Sequence, residues 1–233
     1  FGFVRIKGHN VTPRITDPAY LSAKNYFALP KAIKDQYIVH GGAGQRGYTP
    51  FKAESAKDAK VPDLKEFWHV GRELPVEDPL YKSYSDNVWP KEISEFQDNM
   101  LELYDALENC SDILLESLAL YLGERQNTFT HVTDKGNTIL RLLYYPSLEG
   151  EDIDSGAVRS AAHEDINFIT LLISSTSSGL QLLNRDGSWM DVNAEEGEIV
   201  VDAGDMLSRV TNGYIPATTH RVVNPDDLSK DRY

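Results

Sequence analysis

The spacing of hydrophobic residues predicts a helical first half of the chain. Between residues 91 and 122, apolar side chains recur at every third or fourth position, which indicates one long helix with a buried face. Gly123 follows as a suitable helix end. Shorter helical patterns cover residues 17–28 and 31–39, and a strand-like segment opens the chain at 1–7. The first half is therefore expected to be mainly helical.

After residue 138 the pattern changes to short apolar segments separated by turn residues. Closely spaced segments of this kind are typical of an all-β barrel or sandwich. We predict a single domain over residues 1–233, in which a helical N-terminal region (1–137) supports a β core (138–233). Both ends of the sequence are strand-like, so the natural chain is expected to continue beyond each. The predicted strand segments are 138–145, 157–163, 167–174, 179–184, 188–192, 198–202, 206–211 and 217–223.

Composition and charge exclude several classes of partner. The chain has 23 basic and 36 acidic residues, and its net charge of −13 repels nucleic acid and anionic membranes. No apolar run approaches the length needed to span a bilayer. The single cysteine, Cys110, fits the reducing cytoplasm. The glycine-rich segment 40–47 lacks the Lys-Ser/Thr ending of a phosphate-binding loop, so we interpret it as a flexible loop near a site entrance.

Three residues of the second half have the spacing of a metal site. His163 and Asp165 are two positions apart, so on an extended segment both side chains point to the same face. His220 lies on a later predicted strand, which a rolled barrel can bring beside the first. Two imidazoles and one carboxylate leave half of an octahedron open, as non-haem Fe(II) chemistry requires. Zinc is the main alternative, although the His-Glu-x-x-His helix of many zinc hydrolases is absent, and the triplet alone often arises by chance.

An ordered series of further motifs resembles one known family. The series resembles the isopenicillin N synthase-like branch of the Fe(II)/2-oxoglutarate-dependent dioxygenases, and Gly2-Phe3 and Arg46-Gly47-Tyr48 resemble its N-terminal region. The resemblance covers nearly the whole chain and implies a mostly β protein, a double-stranded β-helix (jelly-roll) barrel supported by the long helix. The motifs are Arg141-Leu142-Leu143-Tyr144-Tyr145-Pro146, Ala162-His163-Glu164-Asp165, Phe168-Ile169-Thr170-Leu171-Leu172, Gly179-Leu180-Gln181, Asp186-Gly187-Ser188-Trp189, Gly204-Asp205-Met206-Leu207, Thr211-Asn212-Gly213 and His220-Arg221-Val222-Val223-Asn224-Pro225.

The resemblance implies that His163, Asp165 and His220 are the iron ligands. It implies a monomeric, cytoplasmic oxidoreductase that uses Fe(II), 2-oxoglutarate and O₂, with ascorbate as a supporting reductant, and that releases succinate and CO₂. A small molecule is hydroxylated, desaturated or cyclised. One alternative is an oxidase of isopenicillin N synthase type, which consumes oxygen without forming succinate. Another is a non-catalytic binding protein on the same fold, which takes up no oxygen. The substrate pocket is expected to include Phe168, Leu180, Arg46 and Tyr48.

The resemblance also assigns the co-substrate contacts. Arg232 matches the arginine that pairs with the distal carboxylate of 2-oxoglutarate, for which the planar guanidinium is suited. Tyr145 matches a tyrosine whose hydroxyl binds the same carboxylate, and Arg141 lies where many relatives carry a basic residue near the co-substrate. Two positions depart from the family pattern, since Leu143 and Asp202 both stand where asparagine is common.

Overall fold

The computed structural model describes residues 1–41, 44–56 and 60–233, so Gly42 and Ala43 of the predicted glycine-rich loop lie outside the described residues. None of the described helices is both long and apolar enough to cross a membrane. The helices are α1 (Pro13–Phe27), α2 (Lys31–Lys34), α3 (Phe96–Tyr121), α4 (Thr130–Thr133) and α5 (Asp205–Val210). The strands are β1 (Phe3–Ile6), β2 (Gly47–Thr49), β3 (Glu66–Gly71), β4 (Ile139–Tyr144), β5 (Ser160–His163), β6 (Ile169–Ile173), β7 (Leu180–Leu183), β8 (Trp189–Asp191), β9 (Ile199–Ala203) and β10 (His220–Val222).

The chain divides into two compact units whose sequences interleave. The first unit comprises residues 1–8, 50–66 and 143–233, and the second comprises residues 9–49 and 67–142. The first unit therefore contains nearly all of the predicted β core together with the opening strand. The second unit contains the long helix and most of the predicted helical region.

Two antiparallel sheets form the first unit. One has the strand order β1-β9-β6, and the other has the order β5-β10-β7-β8. Strand β9 is buried over its whole length because it is paired on both edges, by β1 and by β6. Strand β10 is likewise central, and its first residue, His220, is opposite His163 of β5 and Leu182 of β7. The central position of β10 gives this histidine a fixed and buried setting.

An aromatic cluster packs the long helix of the second unit against other elements of the same unit. The ring of Tyr26, on α1, lies 4.6 Å from the ring of Trp68 and 5.8 Å from that of Phe96. The same tyrosine contacts Tyr48, on β2, at 5.9 Å. Edge-to-face contacts at these distances stabilise a core beyond simple burial of area. The sheet of this unit has the order β2-β3-β4, and its central strand is completely buried.

The clearest differences from the sequence-based expectation concern α5 and β3. Residues 206–211 were expected as a strand, but α5 occupies Asp205–Val210. Gly204 precedes this helix and Asp205 lies in its first turn, where a carboxylate favours helix formation. Strand β3 was not predicted, because a strand that is buried on both faces shows no alternation of polar and apolar residues.

Candidate metal centre

The three predicted iron ligands come together at one end of the sheet β5-β10-β7-β8. His163 ends β5, Asp165 follows two residues later, and His220 begins β10. The two histidines are register partners on neighbouring strands, and their ring centroids lie 4.4 Å apart. Their ligand atoms and one carboxylate oxygen of Asp165 all lie within 4.8 Å of one another. The three side chains can therefore converge on one ion.

Backbone carbonyls orient both imidazoles. Nδ1 of His163 lies 2.8 Å from the carbonyl oxygen of Ala161, and Nδ1 of His220 lies 3.2 Å from that of Thr218. A proton on each Nδ1 leaves the Nε2 lone pair free for a metal, which is the usual arrangement of metal-binding histidines. The two Nε2 atoms lie 3.6 and 3.9 Å from Oδ1 of Asp165. This donor set fits Fe(II).

Asp165 is held in place through its carboxylate oxygen Oδ2 and through the close packing of its backbone. The hydroxyl of Thr170 donates a hydrogen bond to Oδ2, which leaves Oδ1 facing the histidines. The amide of Asn167 in turn donates to this hydroxyl at 2.7 Å. Gly204 is required here, because a Cβ at this position would lie 2.3 Å from the backbone oxygen of Asn167 and 2.8 Å from that of Asp165. The loop that carries the carboxylate is thus packed tightly against the start of α5.

A buried carboxyl group lies behind His220. Oδ2 of Asp202 is 3.6 Å from Nδ1 of His220, and neither of its oxygens has a hydrogen-bond partner among the described residues. Burial, and next the charge of Asp165, raise the pKa of Asp202 to about 8. Burial, followed by the neighbouring His163, lowers the pKa of His220. A lowered pKa keeps this imidazole in the neutral form that a metal needs.

Tyr145 and Arg232 lie side by side in the first unit. Their backbones exchange two hydrogen bonds, of 2.8 and 2.9 Å, and the guanidinium carbon of Arg232 lies 5.1 Å from the centre of the Tyr145 ring. Both residues are buried, and the ring packs with Leu180, one of the predicted pocket residues. Arg232 and Leu180 also line a cavity of about 220 Å³. The structure therefore brings Arg232 to the wall of a cavity, with Tyr145 packed beside it.

Three other predicted site residues lie in the second unit, each with contacts of its own. Nε of Arg141 donates to His69 at 2.6 Å, and its guanidinium lies over the Phe67 ring. Arg46 is buried and donates to backbone oxygens at 2.8 and 3.1 Å and to a side-chain amide at 3.5 Å. Tyr48 is buried in the aromatic cluster. The roles predicted for these residues stay predictions. The remaining pocket candidate, Phe168, belongs to the first unit and is half-buried.

Two residues beside the site were not recognised in the sequence. Thr170 holds Asp165, one of the predicted ligands, and Arg159 lies 5.8 Å from the Tyr145 ring. Both occur inside apolar segments that were predicted as strands. A polar side chain in a buried strand must find a hydrogen-bond partner inside the protein, and this was the signal that could have identified them.

Two family models match the chain. Residues 1–92 match the N-terminal region of the non-haem dioxygenase in morphine synthesis, and residues 136–233 match the 2OG-Fe(II) oxygenase superfamily. The 2-oxoglutarate-dependent dioxygenase citB of Monascus ruber is 32% identical over 243 residues, which cover 100% of this chain and 72% of that protein.

Solved structures show the same similarity. A 2OG-Fe(II) oxygenase family protein from Caulobacter crescentus superposes with a TM-score of 0.86 at 40% identity, covering 100% of this chain and 77% of that one. A full-length Neurospora crassa protein in complex with alpha-KG also gives 0.86, at 31% identity, with 100% and 73% covered. The chain therefore belongs to the Fe(II)/2-oxoglutarate-dependent dioxygenases of the isopenicillin N synthase-like branch, non-haem oxidoreductases that oxidise small molecules with O₂.

Proposed function

We propose that this dioxygenase binds Fe(II) through His163, Asp165 and His220 and holds the distal carboxylate of 2-oxoglutarate with Arg232 and Tyr145. The observation that carries the proposal is the orientation of the two imidazoles. Each Nδ1 is engaged by a backbone carbonyl, so both Nε2 atoms face the same carboxylate oxygen. Three ligands on one side of an ion leave the opposite positions for co-substrate and oxygen.

Fe(II) and 2-oxoglutarate together supply the oxidising chemistry, with succinate and CO₂ as co-products. The residues of the chain orient these groups and exclude water. Thr170 occupies one oxygen of Asp165, which favours monodentate binding through the other. Arg232 offers a buried guanidinium that can grip a carboxylate with two hydrogen bonds. The apolar ring of Tyr145 and the side chain of Leu180 keep the adjoining space dry.

The fold and the setting of this site form part of the same proposal. The two sheets of the first unit support a jelly-roll barrel, the architecture implied by the resemblance. The net charge of −13 argues against a nucleic-acid partner. The lone buried Cys110 supports a cytoplasmic enzyme, and we expect a monomer. Hydroxylation, desaturation and ring closure all share this iron chemistry.

Similar proteins indicate what kind of substrate to test first. The Neurospora crassa protein has also been solved with alpha-KG and thymine and with alpha-KG and 5-formyluracil. We therefore propose that small planar heterocycles be screened first, with oxygen uptake and succinate formation as readouts. The substrate walls predicted from the first unit are Phe168 and Leu180.

The test of the proposal is an anaerobic absorbance titration. Fe(II)-loaded protein should develop a weak visible charge-transfer band when 2-oxoglutarate chelates the metal. His163→Ala and Asp165→Ala should lose the band and the metal, whereas His131→Ala, which removes an exposed histidine of α4, should keep both. A wild-type protein that binds Fe(II) without giving the band would contradict the co-substrate assignment. Full metal binding by the His163 and Asp165 variants would contradict the ligand assignment.

A further inference from the structure

Two arginines without carboxylate partners are buried next to one another in the first unit. Arg159 is 0% exposed and Arg232 is 7% exposed. Their guanidinium carbons lie 5.8 and 5.1 Å from the centre of the same ring, that of Tyr145. Among the residues that the structure describes, neither arginine forms an ion pair with a carboxylate. The two charges therefore share a site in which no described carboxylate lies at ion-pair distance from either, although Asp231 attracts Arg159 from farther away.

The hydrogen bonds of Arg159 leave most of its donors unused. Nη2 donates to the backbone oxygen of Lys230 at 2.5 Å. Nε and Nη1 are buried and have no hydrogen-bond partner within the described part of the chain. Nε of Arg232 donates to the backbone oxygen of Ser177 at 3.0 Å. Buried donors of this kind are rare in native proteins and call for a ligand.

The electrostatics of the two arginines also favour a bound anion. Burial, and next the positive charge of Arg232, lower the pKa of Arg159. Arginine nevertheless stays protonated at physiological pH, so the repulsion is not relieved by loss of a proton. A carboxylate placed between the two guanidinium groups would convert a repulsive pair into two charge-assisted contacts.

Arg159 lies close in sequence to a proposed iron ligand. Arg159 directly precedes β5, and β5 ends at His163. Four residues of extended chain span roughly 13 Å at 3.3 Å per residue. An extended five-carbon diacid that chelates the metal, together with the long arginine side chain, can bridge this separation.

We propose that Arg159 is a second cationic anchor for the distal carboxylate of 2-oxoglutarate, acting with Arg232 beside the Tyr145 ring. This inference rests on the proposed function, because it needs the keto acid at the iron. The competing explanation is structural: Arg159 could serve only to bind the Lys230 carbonyl and to pack on the tyrosine. The two explanations differ in whether the effect of Arg159 depends on the distal carboxylate of the ligand.

The experiment compares two keto acids. The Fe(II)-loaded full chain is titrated without oxygen with 2-oxoglutarate and with 2-oxopentanoate, which has the same carbon chain but a methyl group in place of the distal carboxylate. Arg159→Gln should raise the Kd for 2-oxoglutarate about 10- to 100-fold, as expected for loss of a charge-assisted contact, and should leave that for 2-oxopentanoate within about twofold. Arg5→Gln is the matched control, because Arg5 belongs to the same unit and is half exposed.

Each outcome is decisive. A selective loss of 2-oxoglutarate affinity, with the Arg5 variant unchanged, supports the second anchor. Equal loss of both keto acids, or no loss of either, overturns it in favour of the structural explanation. If Arg159→Gln does not fold, Arg159→Lys decides by the same comparison, since it keeps the charge but loses the planar fork. Failure of the wild type to bind either keto acid would overturn the proposed function and this inference with it.

Discussion

The buried carboxyl group of Asp202 gives a direct test of the electrostatics around the site. Its side chain is 1% exposed, and neither oxygen has a hydrogen-bond partner among the described residues. Burial raises its pKa from 3.8 to about 8. Asp202→Asn keeps the size of the protonated carboxyl group but has no proton to lose. In metal-free protein this change should therefore abolish one contribution to the pH dependence of stability.

The sign of the effect follows from proton counting. Between pH 4 and pH 8 the folded state keeps the Asp202 proton, whereas the unfolded state releases it near pH 3.8. The unfolded state then binds fewer protons, so the free energy of unfolding falls as the pH rises, by about 1.4 kcal/mol per pH unit for one proton. The accumulated loss reaches roughly 5–6 kcal/mol near pH 8. This is an upper limit, because local relaxation and water entry reduce the cost of the buried charge.

The assay is urea unfolding in the presence of EDTA at several pH values. The stability advantage of Asp202→Asn over wild type should be small near pH 4 and should grow by up to about 2–3 kcal/mol between pH 5 and pH 7. Asp191→Asn removes an exposed carboxylate of β8 and controls for the loss of one ionisable carboxyl group. Parallel pH profiles for wild type and Asp202→Asn would refute the reasoning.

Three further substitutions test side-chain contacts within the two units. Thr170→Val frees one oxygen of Asp165, the proposed iron ligand, and should weaken Fe(II) affinity about 10- to 100-fold in a metal titration; unchanged affinity would show that this hydroxyl is dispensable. Lys65→Met leaves the buried carboxylate of Asp63 uncompensated and should lower the free energy of unfolding by about 3–5 kcal/mol, measured in urea. Gly71→Ala places a methyl group 1.8 Å from Cζ of Arg46 and should destabilise the protein by about 1–3 kcal/mol; a wild-type melting temperature would contradict this packing.

The clustering of the three predicted ligand residues could be anticipated because its signals are local. The two-residue spacing of His163 and Asp165 determines a shared face on any extended segment. Pairing of His220 with His163 required only that the second histidine begin a neighbouring strand, as it does. The second half was also recognised as β-rich, because its strands are short and separated by turn residues.

The remaining features depend on tertiary contacts that no local pattern records. Met206, Leu207 and Val210 fit a short helix as well as a strand, and only the packing that buries Leu207 decides between them. Residues 50–66 belong to the first unit although they lie far from the other β segments in sequence. Arg46 was expected at the pocket because of its motif, whereas its three hydrogen bonds could only be seen in the structure. The burial of Asp202 could not be predicted from the sequence either.

The buried ionisable groups of the first unit differ in how their charge is compensated. Away from the site, buried Lys65 is paired with buried Asp63. Near the site, Asp202 avoids a buried charge by keeping its proton, whereas Arg159 and Arg232 share one ring with no carboxylate at ion-pair distance. The unpaired buried charge is therefore basic, and it lies where a carboxylate is expected. Since uncompensated charge in the interior costs several kcal/mol, the distal carboxylate of a dianionic co-substrate would offset this cost.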